Sequence, residues 1–142
     1  MEQRLTLITL GVKDLSVSTA FYEQKFGWHR TAASTNDIVF FQLNGIQLAL
    51  YPLDKLAEDA TVEAGDPTYR PTTLAHNARS EKEVDAIIDD LRRKGVQIIK
   101  EPQKVFWGGY SSYIADPDGN LWEIAYNPYL PLDENGNVTS SK

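Results

Sequence analysis

The chain has 142 residues, 42% apolar and 24% charged, with a formal net charge of −6. That composition suits a soluble globular protein of one domain or two small modules. The acidic balance excludes a phosphate-neutralising nucleic-acid grip, which needs clustered Lys and Arg, and the absence of cysteine removes disulfides, thiolate metal sites and a Cys nucleophile.

No apolar run approaches the roughly 20 residues that span a bilayer, and the N-terminal stretch lacks the apolar core of a signal peptide. A cytoplasmic protein without a membrane or nucleic-acid partner is expected. Leu5 to Val12, rich in Leu, Ile, Thr and Val, reads as a buried strand. Asp14 or Ser16 can cap a helix that runs to about Phe26 and closes at Gly27, with Leu15, Val17, Ala20 and Phe21 on its apolar face. Ile38 to Leu43 and Ile46 to Pro52 read as strands joined at Asn44-Gly45, a hairpin signal because both residues tolerate positive φ. Pro52 to Pro71, with its prolines, glycine and acids, reads as a linker carrying a short helical turn at Leu53 to Ala60.

Thr72 to Arg79 is the next expected strand. Ser80-Glu81-Lys82-Glu83 spells a capping box: the Ser80 hydroxyl accepts from the Glu83 amide while Glu83 reaches back to the Ser80 amide. Val84, Ile87, Ile88 and Leu91 follow at helical spacing, and Gly95 ends that helix. Val96 to Ile99 reads as a short strand and Lys100 to Gly109 as a loop. Tyr110 to Ala115 and Leu121 to Tyr126 form a last hairpin around Asp116-Pro117-Asp118-Gly119, where Pro117 presets φ for the turn. Beyond Pro128 the polar sequence reads as a loosely attached tail, residues 129–142.

The two halves echo each other. Helix caps Asp14 and Ser80, helix-ending glycines Gly27 and Gly95, and hairpin glycines Gly45 and Gly119 recur at similar spacing, as in a duplicated unit of roughly 60 to 70 residues. Chance similarity between two α+β segments is the alternative. With "TLGVKDLSVSTAFYEQKFGW" in the first half and "ADPDGNLWEI" closing the second, the chain resembles the vicinal oxygen chelate superfamily, which includes glyoxalase I, bleomycin-resistance proteins and extradiol dioxygenases. The resemblance covers about residues 4 to 128. It implies an α+β fold in which two βαβββ modules form a cupped mixed β-sheet with helices outside, in a homodimer. The expected organisation is one domain over residues 1–128 (module one 4–52, linker 53–71, module two 72–128) followed by the tail.

The resemblance also implies where a divalent metal would sit in the enzymes: on side chains of the first and last strand of each module, where a Lewis acid can bind two adjacent substrate oxygens. Carried over by offset, those four stations read Leu7, Ala49, Thr73 and Glu123. Leu and Ala cannot ligate, Thr is a poor ligand, and one carboxylate does not hold a transition metal firmly. No metal residues and no cofactor are expected, and a divalent metal is disfavoured. His76 lies an odd number of residues from Thr73 and should face away from the cup, and His29 should be exposed.

Alternation places Leu121, Glu123 and Ala125 on one face of the last strand, with Ser111 and Tyr113 beside them across the hairpin. Gln47, Ala49 and Tyr51 should take the corresponding face of module one, with Val39 and Phe41 opposite them. Phe106 and Trp107, next to Gly108-Gly109, read either as a lid over the cup mouth or as ordinary core. A carboxylate among apolar neighbours calls for a partner, which Tyr113 or a backbone amide could supply. The expected ligand-binding set is therefore Phe41, Gln47, Phe106, Trp107, Tyr110, Ser111, Tyr113 and Glu123, with Glu123 the one catalytic candidate.

Three readings follow. The first is a metal-free small-molecule-binding protein that takes an aromatic or cationic ligand. The second is a glyoxalase-like lyase or isomerase, not a dioxygenase, using Glu123 as general base or metal ligand. The third is a partner-binding protein whose cup is filled by its own side chains.

Overall fold

A computed structural model describes residues 1, 3, 5–65 and 72–139. Residues 66–71 of the expected linker, and 140–142 of the expected tail, lie outside the described residues. The chain divides into two compact units, residues 1–68 and 69–142.

The first unit runs β1 (Leu7–Val12), α1 (Leu15–Gln24), β2 (Val39–Gln42), β3 (Gln47–Pro52) and α2 (Leu53–Ala60). Its sheet has the order β1-β3-β2, with β1 parallel and β2 antiparallel to β3. Asp14 caps α1 by accepting from the Val17 amide at 3.1 Å. The strand expected after α1 in a complete βαβββ module is reduced to a bridge between Arg30 and Phe41. Tyr22, Phe41, Leu48 and Leu50 are fully buried, and Tyr22, Phe26, Trp28 and Phe41 pack ring to ring with centroids 5.2–5.9 Å apart. Such contacts add to the area that aromatic side chains bury.

The β2–β3 register corrects one expectation. Leu43 and Ile46 close a two-residue turn at Asn44-Gly45, where Gly45 has φ 76°. Odd-numbered residues of β2 therefore share a face with even-numbered residues of β3: Phe41 pairs with Leu48, while Gln42 pairs with Gln47 and Phe40 with Ala49. Phe41 lies on the α1 side, 1% exposed, and is a core residue rather than a ligand contact.

The second unit runs β4 (Thr73–Asn77), α3 (Glu81–Arg93), β5 (Gln97–Lys104), β6 (Tyr110–Ala115) and β7 (Leu121–Tyr126). It is a complete βαβββ arrangement with strand order β4-β7-β6-β5, β4 parallel to β7 and the other pairs antiparallel. Ser80 accepts from the Glu83 amide at 3.1 Å. The reciprocal bond of the capping box goes one residue further back: Glu83 accepts from the Arg79 amide at 2.8 Å. Val84, Ile88 and Leu91 of α3 are buried, as are Ile114, Trp122 and Ile124 of the sheet that α3 packs against.

Two further expectations give way here. Half of the loop expected at residues 100–109 is strand: β5 continues to Lys104 through two register irregularities, and a tight turn closes with Val105 donating to Gly109 O at 3.0 Å. The tail is also folded over its described part. Leu132 bridges to Val138, and Arg79 donates to the carbonyl oxygen of Glu134 at 3.1 Å. Taken together, the described residues form two mixed sheets, of three and four strands, and three helices: an α+β fold.

Candidate functional site

The β6–β7 ladder sets the geometry of the second unit's open face. Tyr113 stands opposite Glu123, Ser111 opposite Ala125 and Ala115 opposite Leu121. The turn between Asp116 and Asn120 spans three residues, so odd positions face odd positions here, unlike the hairpin of the first unit. On the far side of β7, Ala75 stands beside Glu123 and Thr73 beside Leu121. His76 pairs with Ile124 on the other face, and His29 is exposed.

Ser111 and Ala125 form the floor of this face at 3% and 1% exposure, while Glu123 and Tyr113 are half-buried. The partner of the carboxylate is Ser111: its Oγ donates to Glu123 Oε2 at 2.8 Å. A hydrogen bond to an ionised acceptor is among the stronger ones a protein makes. Burial, then the negative charge and hydrogen bond of Glu123, push the Tyr113 phenol above its ordinary value, so it stays protonated as a donor at neutral pH.

Two residues on this face escaped the sequence reading. Lys100 stands opposite Tyr113, and Gln103 opposite Ser111, in the β5–β6 ladder. The register shifts between Ile98 and Lys100, and again before Gln103, break the two-residue alternation that would have assigned them. Glu101 and Lys104 point the other way, pairing with Arg92 and Glu81 of α3. The row Glu123, Tyr113, Lys100 thus crosses three adjacent strands, a carboxylate at one side and an ammonium at the other.

Other expected site residues do not belong to this sheet face of the second unit. Tyr110 is on the α3 side, where its hydroxyl donates to Asp85 Oδ1 at 2.7 Å; it is a helix anchor and not part of the open face. Phe106 projects fully exposed from the turn between β5 and β6, at 102% relative exposure, and is not core. Trp107 is half-buried and packs its ring against Gly109, where an added Cβ would collide with it. Gln47 belongs to the first unit and donates to Gln42 Oε1 at 2.9 Å.

The "Glyoxalase/Bleomycin resistance protein/Dioxygenase superfamily" family model matches residues 4–124. The metallothiol transferase FosB of Lysinibacillus sphaericus is 32% identical over 122 residues, covering 86% of this chain and 81% of that protein. The fosfomycin resistance protein FosX of Listeria monocytogenes is 31% identical over 126 residues, covering 84% and 86%. Among solved structures, a glyoxalase-related enzyme from Fulvimarina pelagi superposes with a TM-score of 0.88 at 38% identity, covering 99% of this chain and 100% of that one.

Proposed function

Because this chain belongs to the glyoxalase/bleomycin resistance protein/dioxygenase superfamily, we propose that it binds a small organic molecule on the Glu123 face of its second unit. The ligand is an aromatic or cationic compound: a donor or cationic group sits on the Glu123 carboxylate and a ring lies against Tyr113. The observation that carries this reading is the Ser111–Glu123 bond, which holds a half-buried carboxylate in place on an accessible face. The working form is a homodimer.

The fold family implies a divalent metal, and the donors on this face do not fit one. Glu123 is surrounded on its face by Ala75, Ser111, Tyr113, Leu121 and Ala125, which offer hydroxyls and methyl groups instead of imidazoles. No group of three His, Cys, Asp or Glu able to hold a metal ion occurs among the described residues. No step is therefore routed through a metal, and the chemistry falls to the chain's own groups: Glu123 accepts, Ser111 and Tyr113 donate.

A second reading, a lyase or isomerase with Glu123 as general base, is favoured by one observation: the Fulvimarina pelagi structure, 38% identical to this chain, is described as a glyoxalase-related enzyme. Calorimetric titration with phenethylammonium, phenylacetate and fosfomycin separates the two. Binding of the ammonium compound, lost by about 10- to 100-fold in Glu123→Gln, supports the first reading. Turnover of fosfomycin, or a stoichiometric divalent ion retained through Glu123, overturns it.

A further inference from the structure

Given Glu123 as the anchor of a cationic group, a premise taken from the reading above, we propose that the ligand is a zwitterion whose far end carries an anionic group held by the Lys100 ammonium. In the β5–β6 and β6–β7 ladders Lys100 stands opposite Tyr113, and Tyr113 opposite Glu123. Residues paired across neighbouring strands project from the same side of a sheet, so the three groups form one row on one face. Neighbouring strands lie about 4.8 Å apart, which puts the two ends of the row roughly 10 Å apart at the backbone. A ligand can reach all three groups: Lys100 is exposed, and Glu123 and Tyr113 are half-buried.

Charge on this face is confined to the two ends of the row. The other side chains that the ladders place here are hydroxyls, amides and apolar groups, among them Ser111, Gln103, Asn77 and Ala125. Tyr113 adds no charge, because its phenol is held protonated. Neither Glu123 nor Lys100 makes an ion pair with a described residue, whereas Glu101 and Lys104 of β5 are taken up by Arg92 and Glu81 of α3. A ligand with both charges therefore replaces water at each end and breaks no ion pair of the protein. A purely cationic ligand leaves its far end facing the Lys100 ammonium, and like charges repel. Between the two ends Tyr113 offers a ring and a hydroxyl, which suits an aromatic spacer. The ligand's charges must also be well separated. An α-amino acid carries both on one carbon and cannot span the row, whereas a para-disubstituted benzene holds them at opposite ends.

The experiment is a calorimetric titration of the full-length protein with 4-(aminomethyl)benzoate, its ortho isomer and its methyl ester. The ester keeps the ring and the ammonium and lacks the anion. The para acid is expected to bind about fivefold tighter than the ester, and tighter than the ortho isomer. Lys100→Met keeps the length of the stem, removes the charge and should bring acid and ester to equal affinity, while Lys100→Arg should retain the preference. Lys100 is exposed, so these substitutions leave the fold intact. In the unsubstituted protein the preference should shrink as salt is raised, a readout that needs no variant. Equal binding of acid and ester, a preference that salt does not weaken, or one that survives in Lys100→Met would overturn the proposal. The Glu123 reading still stands in those cases if the ester binds and Glu123→Gln weakens it. Binding of neither compound overturns both.

Discussion

Ser111 holds Glu123 from beneath. Its Oγ, on a residue 3% exposed, donates at 2.8 Å to a carboxylate that is itself half-buried. Removing the donor leaves a charged acceptor short of one bond, but water can reach the exposed side. Ser111→Ala is therefore expected to cost about 1 kcal/mol in urea unfolding, below the roughly 1.5–3 kcal/mol of a fully buried bond to a charge. It should also weaken phenethylammonium binding several-fold, because the carboxylate loses its fixed orientation. Unchanged affinity in this variant would mean that Ser111 does not orient the anchor.

Phe41 separates a core role from a binding role. It sits 1% exposed against Tyr22 and Trp28, so Phe41→Ala should cost about 3–5 kcal/mol in chemical unfolding. Tyr113→Phe, on the open face, removes only a hydroxyl and should leave stability within about 1 kcal/mol while lowering ligand affinity. Reversal of that pattern would return Phe41 to the site.

The two hairpins show where the sequence was legible. Turn chemistry revealed both: Asn44-Gly45, and Asp116 to Gly119. Faces followed only where same-parity pairing across the loop held. Asp116 to Asn120 closes over three residues, so Tyr113 and Glu123 were paired from alternation alone. Asn44-Gly45 closes over two, which inverts the parity of β2 and carried Phe41 to the wrong side. Lys100 and Gln103 were hidden for a related reason, since an irregular strand carries no alternation to follow.

Tyr110 provides a pH test. The hydrogen bond to Asp85, then burial, raise its phenol to about 12. Between the unfolded value near 10 and that value, the unfolded chain ionises while the folded one does not. The contribution to stability is thus fully present below pH ~10 and is lost as pH rises through the folded value. Ultraviolet titration of the phenolate should show one tyrosine ionising late, and Asp85→Ala should bring it back toward the ordinary range. A late tyrosine that persists in Asp85→Ala would place the cause elsewhere.

Gly109 is required by Trp107. The indole lies on the glycine backbone, and a methyl group there would occupy ring atoms. Gly109→Ala should expel the ring, shift tryptophan emission to the red and cost about 1–3 kcal/mol. An unshifted emission spectrum would show that the ring does not rest there in solution.

The tail repeats a device used inside the second unit. Asp116 accepts from the amides of Asp118 and Asn120 at 2.9 and 2.8 Å and from the Asn120 side chain at 2.8 Å. Asp133 does the same with Asn135 and Asn137, at 2.9, 2.8 and 3.0 Å, and both turns put a glycine at φ 81°. What differs is burial: Asp116 is 5% exposed, whereas Asp133 lies near the surface and its turn is tied to the rest of the unit through Arg79. Hydrogen bonds from Asn137, side chain first, then backbone, hold the Asp133 carboxyl below its ordinary value. Its contribution is therefore present above the unfolded value and is lost as pH falls through the folded one. Asp133→Ala should release residues 129–139 to rapid amide exchange and early proteolysis while the sheet stays protected, because local openings need not breach the core. Asp116→Ala, by contrast, strips three bonds from a buried turn of the β6–β7 hairpin and should lower global stability by about 2–4 kcal/mol. Equal global losses in the two variants would mean that the tail is part of the core and not a strap over it.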